Sequence, residues 1–232
     1  MAENLLKYFK GNLQDKISFH SFASDLYKME VKDKILETSL NLFYKYGIKA
    51  ITMDDIAKEM GISKKTIYRF FKEKDDIVNQ LSETELKKSQ LMMDEMRKQA
   101  NDPIHEMILI SAHIQKVFAD INPVFFYDLS RQFSKAQGDF KKFRTECVFS
   151  NINRNIVEGV QQGLYRSDLD IDFASQYRLL QMDMFMGGSD FEFKNISMAK
   201  AHQLIMDIFM HGISTVKGHK LINKYKNKHE EE

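Results

Sequence analysis

Positions 63–69 read Ser-Lys-Lys-Thr-Ile-Tyr-Arg, crowding hydroxyls, a phenol and three cations around a single apolar residue. At helical spacing Ile67, with Phe70 and Phe71, forms one side, and Lys64, Lys65, Thr66, Tyr68 and Arg69 face outward. A short helix gains little from so many exposed donors, whereas a polyanion matches them. Lys and Arg favour phosphates and guanine edges, Thr meets a thymine methyl, and hydroxyls donate to phosphate oxygens. These residue types suit recognition of a nucleic-acid duplex.

The flanking residues supply the elements that would hold them. Thr52 is an N-cap residue, and Asp55 completes a capping box three positions on. Ile56, Ala57 and Met60 then share one helical face. Gly61 offers the left-handed backbone that ends a helix, Ile62 plugs the turn, and Ser63 caps the helix that follows. Residues 52–71 thus predict a helix-turn-helix whose second helix enters a major groove. A plain helical hairpin with a solvated basic face has the same spacing, so spacing alone leaves both open.

Other chemistry is missing from the pattern. His105 and His113 lie too far apart for an i, i+4 metal pair, and Glu106 does not complete HExxH. No GxSxG, P-loop or dinucleotide glycine pattern occurs, and Cys147 has no base beside it in sequence. The expectation is no enzyme, no metal and no cofactor. With 232 residues, two prolines and abundant Leu, Ile, Lys, Glu and Met, the chain predicts an all-α protein with a substantial core. Its one cysteine excludes an internal disulfide and fits a reducing cytoplasm. No apolar run reaches the roughly 18 residues of a membrane span, and no signal-peptide pattern opens the chain. Charge is uneven. Residues 31–75 carry ten Lys or Arg against seven Asp or Glu, and residues 76–232 carry twenty against twenty-two, so a basic module sits on a slightly acidic body.

Around the helix-turn-helix, residues 32–47 predict an amphipathic helix with Ile35, Ser39, Leu42, Phe43 and Tyr46 on one face. With Leu36, Gly47, Ile51, Thr52, Ile56, Ala57, Gly61, Ile62, Ser63, Thr66, Ile67, Tyr68, Phe71, Lys74 and Ile77, residues 31–81 resemble the TetR family of bacterial transcriptional regulators. Ser39 stands where that family usually has Ala, and Lys65 where it often has Gly. The resemblance implies a three-helix DNA-binding head over 31–80 and a helical effector-binding and dimerisation domain over 81–220. An N-terminal extension (1–30) would precede them and a polar tail (221–232) follow. It also implies phosphate contacts from Thr52, Tyr68 and Lys74, and major-groove contacts from Lys64, Lys65, Thr66 and Arg69, with Ser63 capping their helix.

Periodicity and breakers predict further helices over 74–99, 103–120, 124–137, 140–163, 172–186 and 196–216, with Gly187-Gly188 as a break. Asp102 before Pro103 is a helix start. The resemblance places a dimer interface on the last long helices, where Phe173, Tyr177, Leu180, Ile205, Ile208, Phe209, Gly212, Ile213 and Val216 form two stripes. A ligand pocket is expected from Met107, Ile110, Ile114, Phe118, Phe125, Phe126, Phe133, Cys147 and Phe185. Fourteen methionines and eighteen phenylalanines suit an adaptable apolar cavity, although each residue would serve equally in an ordinary core.

The reading is a cytoplasmic, homodimeric repressor. It would bind a palindromic double-stranded DNA operator and be released by a small apolar or amphipathic effector. A helical scaffold retaining an unused head is the alternative. Salt-insensitive, negligible affinity for duplex DNA would mark it.

Overall fold

A computed structural model describes residues 13–185 and 195–230, with side-chain placement over 25–185 and 195–226. The described residues form helices and no strand. An isolated bridge joins Tyr165 to Ser214. The helices are α1 (Leu13–Tyr46), α2 (Met53–Glu59), α3 (Lys64–Tyr68), α4 (Lys74–Gln99), α5 (Pro103–Asp120) and α6 (Val124–Gln132). Next come α7 (Ser134–Phe143), a π-turn (Arg144–Val148), α8 (Phe149–Gln161), α9 (Ile171–Asp183), α10 (Met198–Ile213) and α11 (Val216–Glu230).

Two apolar cores form. The first gathers Ile35, Phe43, Ile48, Ile56, Ile67, Phe71 and Ile77 from α1 to α4. Fully burying such a side chain contributes about 1.5–3 kcal/mol, so these residues fix how the short helices pack. The second surrounds α5, which meets α4, α8, α10 and α11, and it includes Met93, Ile104, Ile156, Tyr165, Met210 and Ile222. Helix α4 belongs to both, through Ile77, Val78 and Leu81 at one end and Met93 at the other.

Several expectations change. Residues 13–30 of the expected extension and the first head helix are one continuous helix, α1. Leu26, Tyr27 and Met29 are exposed on it, and burial begins near Ile35. The boundary near position 80 does not divide the packing. Phe133 and Ala136, from the far side of it, complete the head core. The helix expected over 124–137 breaks at Phe133, and the one expected over 140–163 is interrupted by the π-turn.

The polar tail is also corrected. The backbone turns at Ser214, where the Arg166 amide donates to Ile213 O at 2.9 Å and the Thr215 amide to Leu164 O at 2.9 Å. Helix α11 then folds back and buries Ile222 and Tyr225. The Tyr225 ring stacks on His105 at 4.4 Å and its hydroxyl donates to Asp102. Two apolar residues at i, i+3 in a lysine-rich stretch anchor what composition alone presents as solvated. The Gly187-Gly188 break lies outside the described residues.

Candidate nucleic-acid interface and effector cavity

The capping box predicted at Thr52 is formed. The Asp55 amide donates to Thr52 Oγ1 at 3.2 Å, and the Thr52 amide and hydroxyl donate to Asp55 Oδ2 at 2.9 and 2.6 Å. The bonds from Thr52 hold the Asp55 carboxyl below its ordinary value. Gly61 takes φ +65°, a conformation other residues seldom adopt, and the Ile62 amide closes the turn on Ala57 O at 3.0 Å. Ser63 then caps α3, accepting from the Thr66 amide at 3.1 Å, and its hydroxyl lies 2.9 Å from that of Thr66.

Helix α3 is shorter than the sequence suggested and ends at Tyr68. Ile67 is fully buried, while Tyr68 is 46% exposed and Lys64, Lys65 and Arg69 are open to solvent. Lys64 Nζ lies 3.2 Å from Asp54 Oδ2 and 6.0 Å from the centre of the Tyr68 ring. Among the described residues Lys65 and Arg69 make no ion pair, so their charge is available to an incoming anion. Lys74 is placed differently. Its ammonium donates to Ile48 O at 2.8 Å and Ile51 O at 2.9 Å, and partial burial lowers its pKa. Two of its three donors close the α1–α2 turn onto α4, so Lys74 is first an internal clip.

The other side of that turn meets α6. The Lys49 amide donates to Asp128 Oδ2 at 2.7 Å, and the Asn122 amide donates to Tyr44 O at 2.8 Å. Gly47 has φ +84°, and a Cβ there would stand 2.8 Å from Val124 Cγ1, so glycine permits this approach as well as the turn. The rings of Tyr44 and Phe125 meet edge-on at 4.9 Å. Sequence reasoning missed Asp128. One acid in an amphipathic helix looks solvated until its partner amide, 79 positions away, is known.

Behind α6 lies a cavity of about 620 Å³, inside the roughly 300–1,000 Å³ range of small-molecule sites. Met107, Ile110, Ile114, Phe118, Phe125, Phe126 and Phe185 line it. Phe133 and Cys147 do not. Phe133 turns into the head core, and Cys147 packs half-buried against the body core, where burial raises its thiol pKa. Tyr44, Phe43 and Ile48 of the head also form part of the wall.

The cavity's polar groups were not anticipated. Buried Glu106 is held by Arg154, whose Nη2 donates to Oε1 at 2.6 Å, and by Asn155 Nδ2, which donates to Oε2 at 2.8 Å. Arg178 is 4% exposed; among the described residues its polar contacts are Gln181 Oε1 at 3.4 Å and His202 Nε2 at 3.5 Å, and its guanidinium lies 5.9 Å from the centre of the Phe209 ring. Burial lowers its pKa to about 10. His202, 2% exposed, is pushed down to about 3 by burial and by the Arg178 charge. Neither residue type stands out in a sequence without knowing which helix face is internal.

The expected dimer stripes divide. Phe173, Tyr177, Leu180, Ile208 and Val216 are exposed, whereas Phe209 and Ile213 are core residues and Ile205 is half-buried. Gly212 is exposed, with open space where a Cβ would stand. Two faces of α10 explain the split: one packs inward on α5 and the other is uncovered.

Residues 35–81 match the family described as bacterial regulatory proteins, tetR family. The uncharacterized HTH-type transcriptional regulator YhgD of Bacillus subtilis is 38% identical over 77 residues, 33% of this chain and 40% of that one. The HTH-type transcriptional repressor KstR2 of Mycolicibacterium smegmatis is 26% identical over 149 residues, 63% of this chain and 73% of that one. The chain thus matches less than half the length of the first of these and about three-quarters of the second. Among solved structures, the transcriptional regulator FadR of Bacillus subtilis in complex with stearoyl-CoA superposes with a TM-score of 0.56 at 18% identity, covering 78% of this chain and 98% of that one. That likeness is one of fold.

Proposed function

The chain belongs to the TetR/AcrR family of transcriptional regulators, and from that premise we propose that it is a homodimeric, ligand-responsive repressor released from a palindromic operator by a small apolar or amphipathic effector. The observation that carries the reading is the outward face of α3. Lys65 and Arg69 stand there with no ion pair among the described residues, beside half-exposed Tyr68, while Ile67 on the reverse is sealed into the head. In this reading Lys64, Lys65, Thr66 and Arg69 enter the major groove, and Thr52 and Tyr68 bind flanking phosphates. Lys74 keeps one donor for a phosphate and spends the others inside the head. The protein works in the cytoplasm, where the operator is.

The uncovered apolar face of α9 and α10 is the proposed two-fold contact, holding two heads about one helical turn of DNA apart. Helix α6 is the coupling element. It walls the cavity with Phe125 and Phe126 and grips the α1–α2 turn with Asp128. A ligand that fits better when α6 shifts favours head spacings that no longer match successive grooves.

Titration of duplex DNA from upstream of the protein's own gene, at several salt concentrations, tests this. Arg69→Ala is expected to weaken binding by about 1–3 kcal/mol and to relax sequence preference, and Tyr68→Ala to weaken all sequences alike. Affinity that is negligible, insensitive to salt and unchanged by both variants would return the chain to the scaffold reading.

A further inference from the structure

The body treats its two buried charges unequally. Glu106 has a guanidinium and an amide on its carboxylate. Arg178, equally buried and on the wall of the same cavity, has no carboxylate partner among the described residues. Its contacts, 3.4 Å to an amide oxygen and 3.5 Å to an imidazole, are at the long limit of hydrogen bonding. Arginine has no acceptor, so His202 Nε2 must receive that contact, which puts the neutral ring's proton on Nδ1. His202 Nδ1 is buried and has no hydrogen-bond partner among the described residues. Among the described residues donors therefore outnumber acceptors at this end of the cavity, and a buried cation left so is costly.

From this pole an aromatic wall runs to the head. His202 meets Phe118 at 5.7 Å, Phe118 meets Phe126 at 5.8 Å, Phe126 meets Phe125 at 5.2 Å, and Phe125 meets Tyr44 of α1 at 4.9 Å. All five line the cavity. Deepening the effector reading above, on which it rests, we propose that the cavity takes an amphiphilic carboxylic acid, its carboxylate paired with Arg178 and His202 and its apolar body along the aromatic wall toward Tyr44. A planar carboxylate accepts both prongs of a guanidinium, supplying the missing acceptors and the missing negative charge together. The far end of such a molecule presses on Phe125 and Tyr44, where α6 meets the head. A fatty acid and a polycyclic acid share this chemistry.

Calorimetric titration of the full-length protein with dodecanoate, deoxycholate, dodecan-1-ol and dodecyltrimethylammonium, each below its micelle threshold, tests the assignment. At least one acid should bind tenfold or more tighter than the alcohol, the ammonium should bind weakest, and the bound acid should weaken operator binding. Whichever acid binds tighter identifies the body as acyl or polycyclic. Arg178→Gln should weaken that acid at least tenfold and move the alcohol less than threefold. Should that variant fold poorly, the head-group series on the unaltered protein decides alone. An alcohol as tight as the acids, or acid affinity indifferent to Arg178→Gln, overturns the carboxylate while leaving the cavity a ligand site. If no amphiphile binds and none changes operator affinity, the effector reading falls with it.

Discussion

The head and the body are built from similar apolar residues, yet they use them in opposite ways. In the head Ile35, Ile48, Ile56, Ile67 and Ile77 are fully buried in one cluster, and nearby polar groups are matched. The Lys74 ammonium meets two carbonyls, buried Ser39 donates to Ile35 O at 2.6 Å, and Asp128 accepts from a backbone amide. The body instead surrounds a hollow of about 620 Å³, and among the described residues Arg178 has no carboxylate partner. A reading head must hold its side chains in one register whether or not DNA is present. On the proposed function the body must have something to gain from a ligand, and open space beside a buried cation supplies that gain.

The sharpest test of this contrast makes the same substitution on each side. Ile67→Ala should cost about 2–5 kcal/mol, because tightly packed neighbours cannot collapse into the space left. Ile110→Ala, which only widens an existing hollow, should cost under about 1.5 kcal/mol since little new cavity surface is made. Urea denaturation compares the two, and equal costs would erase the distinction.

Next in size is the joint. Asp128→Ala removes the charged acceptor from the Lys49 amide and should lower stability by about 1.5–3 kcal/mol, the range for hydrogen bonds to charged groups. If α6 carries the signal, operator affinity survives in this variant while its response to bound acid is lost. A response of full size would place the coupling elsewhere.

The smallest effect is read by pH. The His202 pKa is depressed in the folded state, from 6.5 to about 3. Between these values the unfolded chain binds a proton that the folded one does not, so stability rises with pH by at most about 1.4 kcal/mol per unit and is lost as pH falls from 6.5. His202→Gln should flatten that slope in urea melts between pH 5 and pH 7, by roughly 2 kcal/mol across the span. An unchanged slope would mean that His202 is not held neutral in the body.

How far the sequence reaches differs along the same line. In the head, signals are local. Thr52 with Asp55, Gly61 and Ser63 announce caps and a turn within a few residues, and all three devices form as read. Asp102 before Pro103 likewise starts α5, accepting from the Ile104 and His105 amides at 3.0 and 2.9 Å. In the body, Phe133 and Phe126 look alike in sequence, yet one completes the head and the other lines the cavity. Lys74 is a lysine in a first helical turn by either reading, and only the approach of Ile48 O and Ile51 O makes it a clip.

Caps, turns and the alternation of apolar and charged faces are set by residues within four of one another, so the helical elements and the exposed cationic face of α3 were determined by the sequence itself. Whether a buried phenylalanine meets a neighbour or an empty space, and whether a buried arginine finds an acid, depends on helices brought together from distant parts of the chain. Arg178 on α9 and His202 on α10 are 24 positions apart in sequence and 3.5 Å apart in space. Only the tertiary packing decided that they would share a cavity wall.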